Sequence, residues 1–240
     1  MCGRYSLFTP PEELENRFDV TVGTYEPRYN AAPGQSLPVI TDRNETIVTR
    51  MEWGLVPSWA DERDGQINAR GETVHEKPTF REAFAGSEGD LAAGRCLVPA
   101  DGFYEWVDEG GTSQPYRVRL TGDRPFAMAG LWSQWRPETT QTGLSAFGGG
   151  DGPAAEPDIV ETFTVVTTEP NSVVGDLHHR MAVILPPENE QRWLSADPGE
   201  ARDLLDPYPG AEMEAYPVSP AVGDPANDSP ALVEPLDGGA

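Results

Sequence analysis

Six stretches of this chain, TIVTRMEW, RCLVPADGFYEWV, PYRVRL, PFAMAGLWSQW, TFTVVTTE and MAVILP, are dense in β-branched and aromatic residues and bounded by Gly, Pro, Asp or Asn. That is the composition of strands ending in turns. They come in runs. The helical signals lie between blocks, with no regular βαβ alternation. The arrangement predicts an α+β fold with mainly antiparallel sheet. Thr9-Pro10-Pro11-Glu12 reads as a capping box with prolines at the helix start, opening a helix through about Phe18. Shorter helices fit PTFREAF, PENEQRWL and PGEARDLL.

The 240 residues are enough for a substantial core in one large domain or two small ones. No internal repeat stands out. The Gly/Pro/Asp-rich segment at about 139–158 lies between two strong strand signals and is expected to be a mobile surface insertion. There is no apolar run of about 18 residues and no signal-peptide pattern, so neither a membrane span nor a leader is expected, and the location is read as cytoplasmic.

Acidic residues outnumber basic ones 40 to 17, for a formal net charge of −23, and Lys77 is the only lysine. High charge can mark disorder, but the apolar strand runs and six tryptophans argue against it. An acid-rich, lysine-poor surface fits a protein working in concentrated salt, where self-repulsion is screened. Such a charge opposes nucleic-acid binding at long range but leaves room for a local arginine patch.

Four places carry candidate chemistry. The first is Cys2, in the opening MCGR. Once Met1 is removed, this residue bears an α-amine (pKa ~8) and a thiol (~8.5) on adjacent carbons, both partly nucleophilic near neutral pH. A 1,2-aminothiol captures an aldehyde as a Schiff base and then a thiazolidine; a thiolate alone attacks acyl carbons. Cys96, in apolar surroundings, reads as a small core residue. The second place is GDLHHRMAVIL. Neighbouring His178 and His179 at a strand mouth should point to opposite faces, giving a poor chelating pair but a possible proton carrier. No metal site and no cofactor are expected. The third is ADGFYEWV, where strand alternation puts Glu105 on the face of Phe103 and Val107, apolar company that raises a carboxyl pKa. The fourth is the pair of turn-like segments RYNAAPGQ and GQINARGET, presenting Asn30, Asn68 and Arg70. Arg4, Arg70 and Arg180 each adjoin one of these clusters, and arginine suits a bidentate grip on phosphate.

Read in order, MCGRY, RYNAAPGQ, MEWGLVPSWA, INARGET, RCLVPADGFYEW and LHHRMAVIL resemble the SRAP family, the SOS-response-associated peptidases also called abasic site processing proteins. The likeness covers nearly the whole chain as a single 1–240 domain, apart from the 139–158 insertion. It includes the ending PVSPAVGDPANDSPALVEPL, which is therefore expected to pack. The resemblance implies a barrel-like core of sheets with short peripheral helices and a DNA groove. It also implies a protein, expected to be monomeric, that covalently shields abasic sites in single-stranded DNA during the damage response. Cys2 would be the nucleophile, with Asn68, Glu105 and His178 beside it. Arg4, Asn30, Arg70 and Arg180 would lie toward DNA, and a peptidase activity would remove Met1 or a leader. His178 is preferred to His179 on the family pattern, in which a histidine stands two residues before the arginine. Trp53 or Trp59 is a candidate stacking surface. The acidic surface departs from the family. The rival readings are an N-terminal-nucleophile amidohydrolase, which also opens Met-Cys-Gly, a cysteine peptidase using Cys2 and His178, and a non-enzymatic DNA-binding module.

Overall fold

The computed structural model describes residues 2–87, 89–137 and 158–236. The insertion expected at 139–158 lies, but for Asp158, outside them. In chain order the strands are β1 (Tyr5–Leu7), β2 (Arg28–Ala31), β3 (Ser36–Thr41), β4 (Asn44–Trp53), β5 (Asn68–Arg70), β6 (Ala93–Ala100), β7 (Gly102–Glu109), β8 (Thr112–Leu120), β9 (Phe126–Trp135), β10 (Val160–Thr168), β11 (Met181–Ala182), β12 (Ile184–Leu185) and β13 (Met213–Pro217). The helices are α1 (Pro11–Phe18), α2 (Pro78–Ala85), α3 (Pro187–Ser195) and α4 (Pro198–Arg202). Every one of the four begins on a proline, which supplies a preset φ and lacks an N–H that the first turn would leave unpaired.

Two sheets carry the molecule. One is open, with strand order β13-β8-β7-β1-β2. The other runs β11-β10-β4-β3-β6-β9-β12, and an additional β9–β10 pairing closes β10, β4, β3, β6 and β9 into a ring. Pairing is antiparallel except where β10 meets β4 and β5. The architecture is thus α+β, mostly antiparallel, with few helices.

The expected RCLVPADGFYEWV strand divides at Asp101, and its halves, β6 and β7, join different sheets. Asp101 makes the corner. Its amide donates to the Ser6 carbonyl at 2.8 Å, and its carboxylate accepts from the amides of Phe8 and Thr9 and from the Thr9 hydroxyl. Thr9 is therefore taken by Asp101. The capping box does not form: Pro10 is the residue before α1, and no side chain caps the helix. MAVILP likewise divides at Val183, whose amide donates to Val166 and whose carbonyl accepts from Ala129, both at 2.9 Å. The turn-like segments RYNA and NAR are short strands, because each finds a partner edge, β1 for the former and β10 for the latter.

Alternation along β7 sorts its side chains between two cores. Phe103 joins the large cluster with Tyr5, Trp53, Phe163 and Cys2. Tyr104 points the other way, to Val218, Val222 and Leu232 of the C-terminal segment, which does pack. A third cluster lies under α2 and α3, around Phe84 and Trp193. Inside the ring Gly130 faces Cys96; a Cβ at that glycine would stand 2.7 Å from the sulfur and 2.8 Å from Val98 Cγ2.

Candidate active site at the chain terminus

The site is made where the two sheets meet. Tyr5 of β1 is opposite Phe103 of β7, and the Tyr104 amide donates to the Arg4 carbonyl at 3.0 Å. Continuing that antiparallel register carries residues 2 and 3 to the level of Glu105. From the ring sheet, β5 lies along β10 with Asn68 opposite Val165, and Asn68 Nδ2 donates to the Cys2 carbonyl at 3.0 Å. The third side, 174–180, is a turn outside any strand, closed by the His178 amide donating to the Val174 carbonyl at 2.8 Å. From it, His178 Nδ1 comes within 4.0 Å of Glu105 Oε2. Cys2, Asn68, Glu105 and His178 thus converge from four separate parts of the chain.

Their environments differ. Cys2 is fully buried. Burial first, and the neighbouring Glu105 charge second, push its thiol well above the ordinary range, so no ready-made thiolate waits there. Glu105 is 2% exposed, and burial raises its carboxyl from 4.5 to about 7, which matches the working pH of a general acid or base. Asn68 Oδ1 is buried and has no partner among the described residues, leaving an acceptor in hand beside Cys2. His178 is held below its usual pKa, chiefly by burial, and is neutral at pH 7. The Arg180 amide donates to His178 Nδ1 at 3.0 Å. The Arg180 carbonyl lies 3.1 Å from the same nitrogen, so the Arg180 backbone holds the ring at Nδ1. His178 and His179 do not take opposite faces as strand neighbours would; they lie in the turn before β11, and their rings lie together, tilted by 33° with centroids 4.2 Å apart.

The expected DNA-facing residues separate into distinct environments. Arg70 is exposed at the end of β5; by strand alternation it projects on the same side as Asn68, while Ala69 is buried on the other. Arg4 turns toward the C-terminal segment: Nη1 donates to the Val222 carbonyl at 2.7 Å and to Asn30 Oδ1 at 3.1 Å, and Nη2 to the Gly223 carbonyl at 3.1 Å. Asn30 is fully buried, its Nδ2 donating to the carbonyls of Val222, Asp224 and Asn227. It has no surface to offer a phosphate and instead ties down the segment that holds Arg4. Arg180 is 9% exposed and forks onto Glu72. Trp53 is a core residue whose indole donates to the Ile67 carbonyl at 2.9 Å, whereas Trp59 is 58% exposed. Among the described residues no group of His, Cys, Asp and Glu is arranged to hold a metal ion, and no helix is long and apolar enough to cross a membrane.

Two features escaped the sequence reading. Glu72, the partner of Arg180, stands two residues after Arg70 and carries no signal beyond its charge. Asp228, in the linker-like GDPANDS, accepts from the amides of Tyr29 at 2.7 Å and Asn30 at 3.2 Å and pairs with Arg28 at 3.0 Å.

The chain has known relatives. A family model described as SOS response associated peptidase (SRAP) matches residues 1–225. Among curated proteins the chain is 39% identical over 246 residues to the abasic site processing protein YoqW of Bacillus subtilis, covering 98% of this chain and 99% of that one. It is 31% identical to the abasic site processing protein HMCES of Gallus gallus, covering 90% of this chain and 68% of the other. A crystal structure of a protein from Bacteroides thetaiotaomicron superimposes with a TM-score of 0.80 at 27% identity, covering 98% of this chain and 100% of that chain.

Proposed function

The chain belongs to the SOS response associated peptidase family, and on that premise we propose that it processes abasic sites by trapping them covalently on Cys2 in single-stranded DNA. An abasic deoxyribose equilibrates between a closed hemiacetal and a small fraction of open C1′ aldehyde. With Met1 removed, by an aminopeptidase or by the protein itself, the Cys2 amine condenses with that aldehyde and releases one water. The thiol then adds across the C=N bond, its proton passing to nitrogen, and the thiazolidine closes. No oxidant is needed, and the aldehyde and imine that permit β-elimination are consumed.

The observation that carries this reading is that Asn68 holds the Cys2 carbonyl where Glu105 neighbours the Cys2 thiol and His178 comes within 4.0 Å of Glu105. Glu105, titrating near 7, is able to take the ammonium proton and return it to the departing hydroxyl. Asn68 fixes the Cys2 carbonyl through Nδ2 and offers Oδ1 to the freed amine. His178, beside Glu105, is the donor to the sugar ring oxygen. Holding amine, thiol and aldehyde together makes capture effectively unimolecular, a gain of up to ~7–11 kcal/mol. A protonated thiol disfavours the cysteine-peptidase alternative, in which a thiolate attacks first.

Arg70 is the contact for the backbone, with Arg4 held against the C-terminal segment and Trp59 available for stacking. These fix register without reading sequence. Counterion release costs a protein with 6–10 phosphate contacts ~10³–10⁵ in affinity between 50 and 200 mM salt. With a net charge of −23, retention in concentrated salt rests on the covalent bond and on close arginine contacts.

The test is incubation of the Met1-free protein with single-stranded DNA carrying one abasic site, in salt that keeps it folded. A denaturant-resistant adduct, lighter than the sum of the two by one water, is expected. No adduct, with glutamine hydrolysed in a parallel assay, turns the reading to an amidohydrolase.

A further inference from the structure

His178 is carried by a turn, so whatever shapes that turn places its ring. Residues 169–180, between β10 and β11, belong to no strand or helix and have no sheet ladder to fix them. Asn171 does so instead. Its Oδ1 accepts from the amides of Val173 and Val174, both at 3.0 Å, the local side-chain-to-backbone bonding that lets asparagine shape a turn. Its carbonyl accepts from the Gly175 amide at 2.8 Å, and the Val174 carbonyl then accepts from the amides of Leu177 at 2.9 Å and His178 at 2.8 Å. Two hydrogen-bonded steps therefore lead from the Asn171 side chain to the His178 backbone. The same residue anchors the turn to the body of the molecule. Nδ2 donates to the Tyr208 carbonyl at 2.7 Å and to Met213 Sδ at 3.0 Å, and the Asn171 amide donates to Met181 Sδ at 3.3 Å, at the start of β11.

We infer that Asn171 is a positioning residue for His178: it builds the 171–178 turn and anchors it to the 208–213 segment, and so holds the histidine beside Glu105. Its effect on rate rests on the aldehyde-capture reading; its effect on the turn does not. A carboxamide suits the post because it offers two acceptor lone pairs and two N–H donors, and all four are used here. Aspartate keeps the acceptor side and loses both donors; alanine loses everything. The 208–213 segment is shaped to meet this residue. A Cβ at Gly210 would overlap Ser172 Oγ and stand 3.6 Å from Asn171 Cγ, so a glycine there lets the two segments approach closely. Val174 is fully buried, and Val173 and Leu177 pack against the large cluster, which seats the turn in one place once Asn171 has formed it.

Amide hydrogen exchange reads the turn, and single-turnover adduct formation at saturating abasic single-stranded DNA reads the histidine. Asn171→Ala should speed exchange at the Val173, Val174 and His178 amides by at least about tenfold. It should slow adduct formation by at least about tenfold, toward the ~10²-fold cost of losing a positioned proton donor. Affinity for undamaged single-stranded DNA should not change. Asn171→Asp should restore protection at Val173 and Val174 and recover part of the rate. The decisive arm is a double-mutant cycle: added to His178→Ala, Asn171→Ala should slow the reaction by less than about twofold more, because the two act as one unit. If Asn171→Ala does not fold, Asn171→Asp takes its place in the cycle. A folded Asn171→Ala protein with unchanged His178 protection and unchanged rate overturns the inference. So does full slowing by Asn171→Ala in the His178→Ala background, which would make its effect a general loosening of the site. If wild-type protein forms no adduct, the capture reading fails, while hydrogen exchange still decides whether Asn171 builds the turn.

Discussion

Replacing Glu105 by glutamine separates what this carboxyl does for chemistry from what it does to stability. The side chain is 2% exposed, and burial raises its pKa from 4.5 to about 7. The folded state thus holds its proton where the unfolded chain has released it. Between those values the native state binds more protons, so stability falls as pH rises, and the penalty is complete above about pH 7. Over the 2.5 units between 4.5 and 7, at ~1.4 kcal/mol per unit, the cost at pH 8 is about 3 kcal/mol, against under about 1 kcal/mol at pH 5. Glu105→Gln is always neutral and escapes it. Urea unfolding followed by tryptophan fluorescence should show the variant gaining roughly 2 kcal/mol on wild type between pH 5 and pH 8, while adduct formation slows by ~10²-fold or more. A gain equal at both pH values, or a loss at pH 8, would mean that Glu105 is not held protonated by burial, and the acid/base role would fall with it.

Other perturbations have clear expected outcomes. Asn68→Ala removes the hydrogen bond to the Cys2 carbonyl and should cut the adduct rate by up to ~10²-fold, the scale of misplacing a reacting group by about 1 Å, with little change in melting temperature. Gly130→Ala puts a methyl 2.7 Å from the Cys96 sulfur and should cost ~1–3 kcal/mol in chemical denaturation, as overpacking does. Asp228→Ala leaves the Tyr29 and Asn30 amides without their acceptor; limited proteolysis should then cut within residues 218–236 first, at a stability cost of ~1–3 kcal/mol. Raising salt from 0.2 to 2 M after adduct formation should leave the adduct intact while releasing undamaged DNA, and loss of both would refute covalent retention.

Much of this was legible before any coordinates. The strand blocks and interposed helices foretold a mostly antiparallel α+β fold because alternation and turn residues act locally. The alternation of β7 likewise put Glu105 among apolar neighbours, and its burial follows. The order of short motifs pointed to the family. Pairing and closure were not legible. β2 and β5 are four and three residues long and form only because partner edges exist elsewhere, so their sequences read as turns. Thr9 read as a cap because the acceptor that claims it, Asp101, is 92 residues away.

What the sequence determined by itself was which chemistry is available: a 1,2-aminothiol behind Met1, a carboxyl set among aromatics, a histidine and a few arginines, properties that belong to residue types and near neighbours. The tertiary structure decided which of these side chains meet and which turn away. It showed Asn30 and Arg180 turned inward and Arg70 turned out, and it brought His178 within 4.0 Å of Glu105. Those outcomes depend on contacts such as Arg180 to Glu72, 108 residues apart. A hydrogen bond across that separation leaves no periodicity or spacing in the chain from which it can be read.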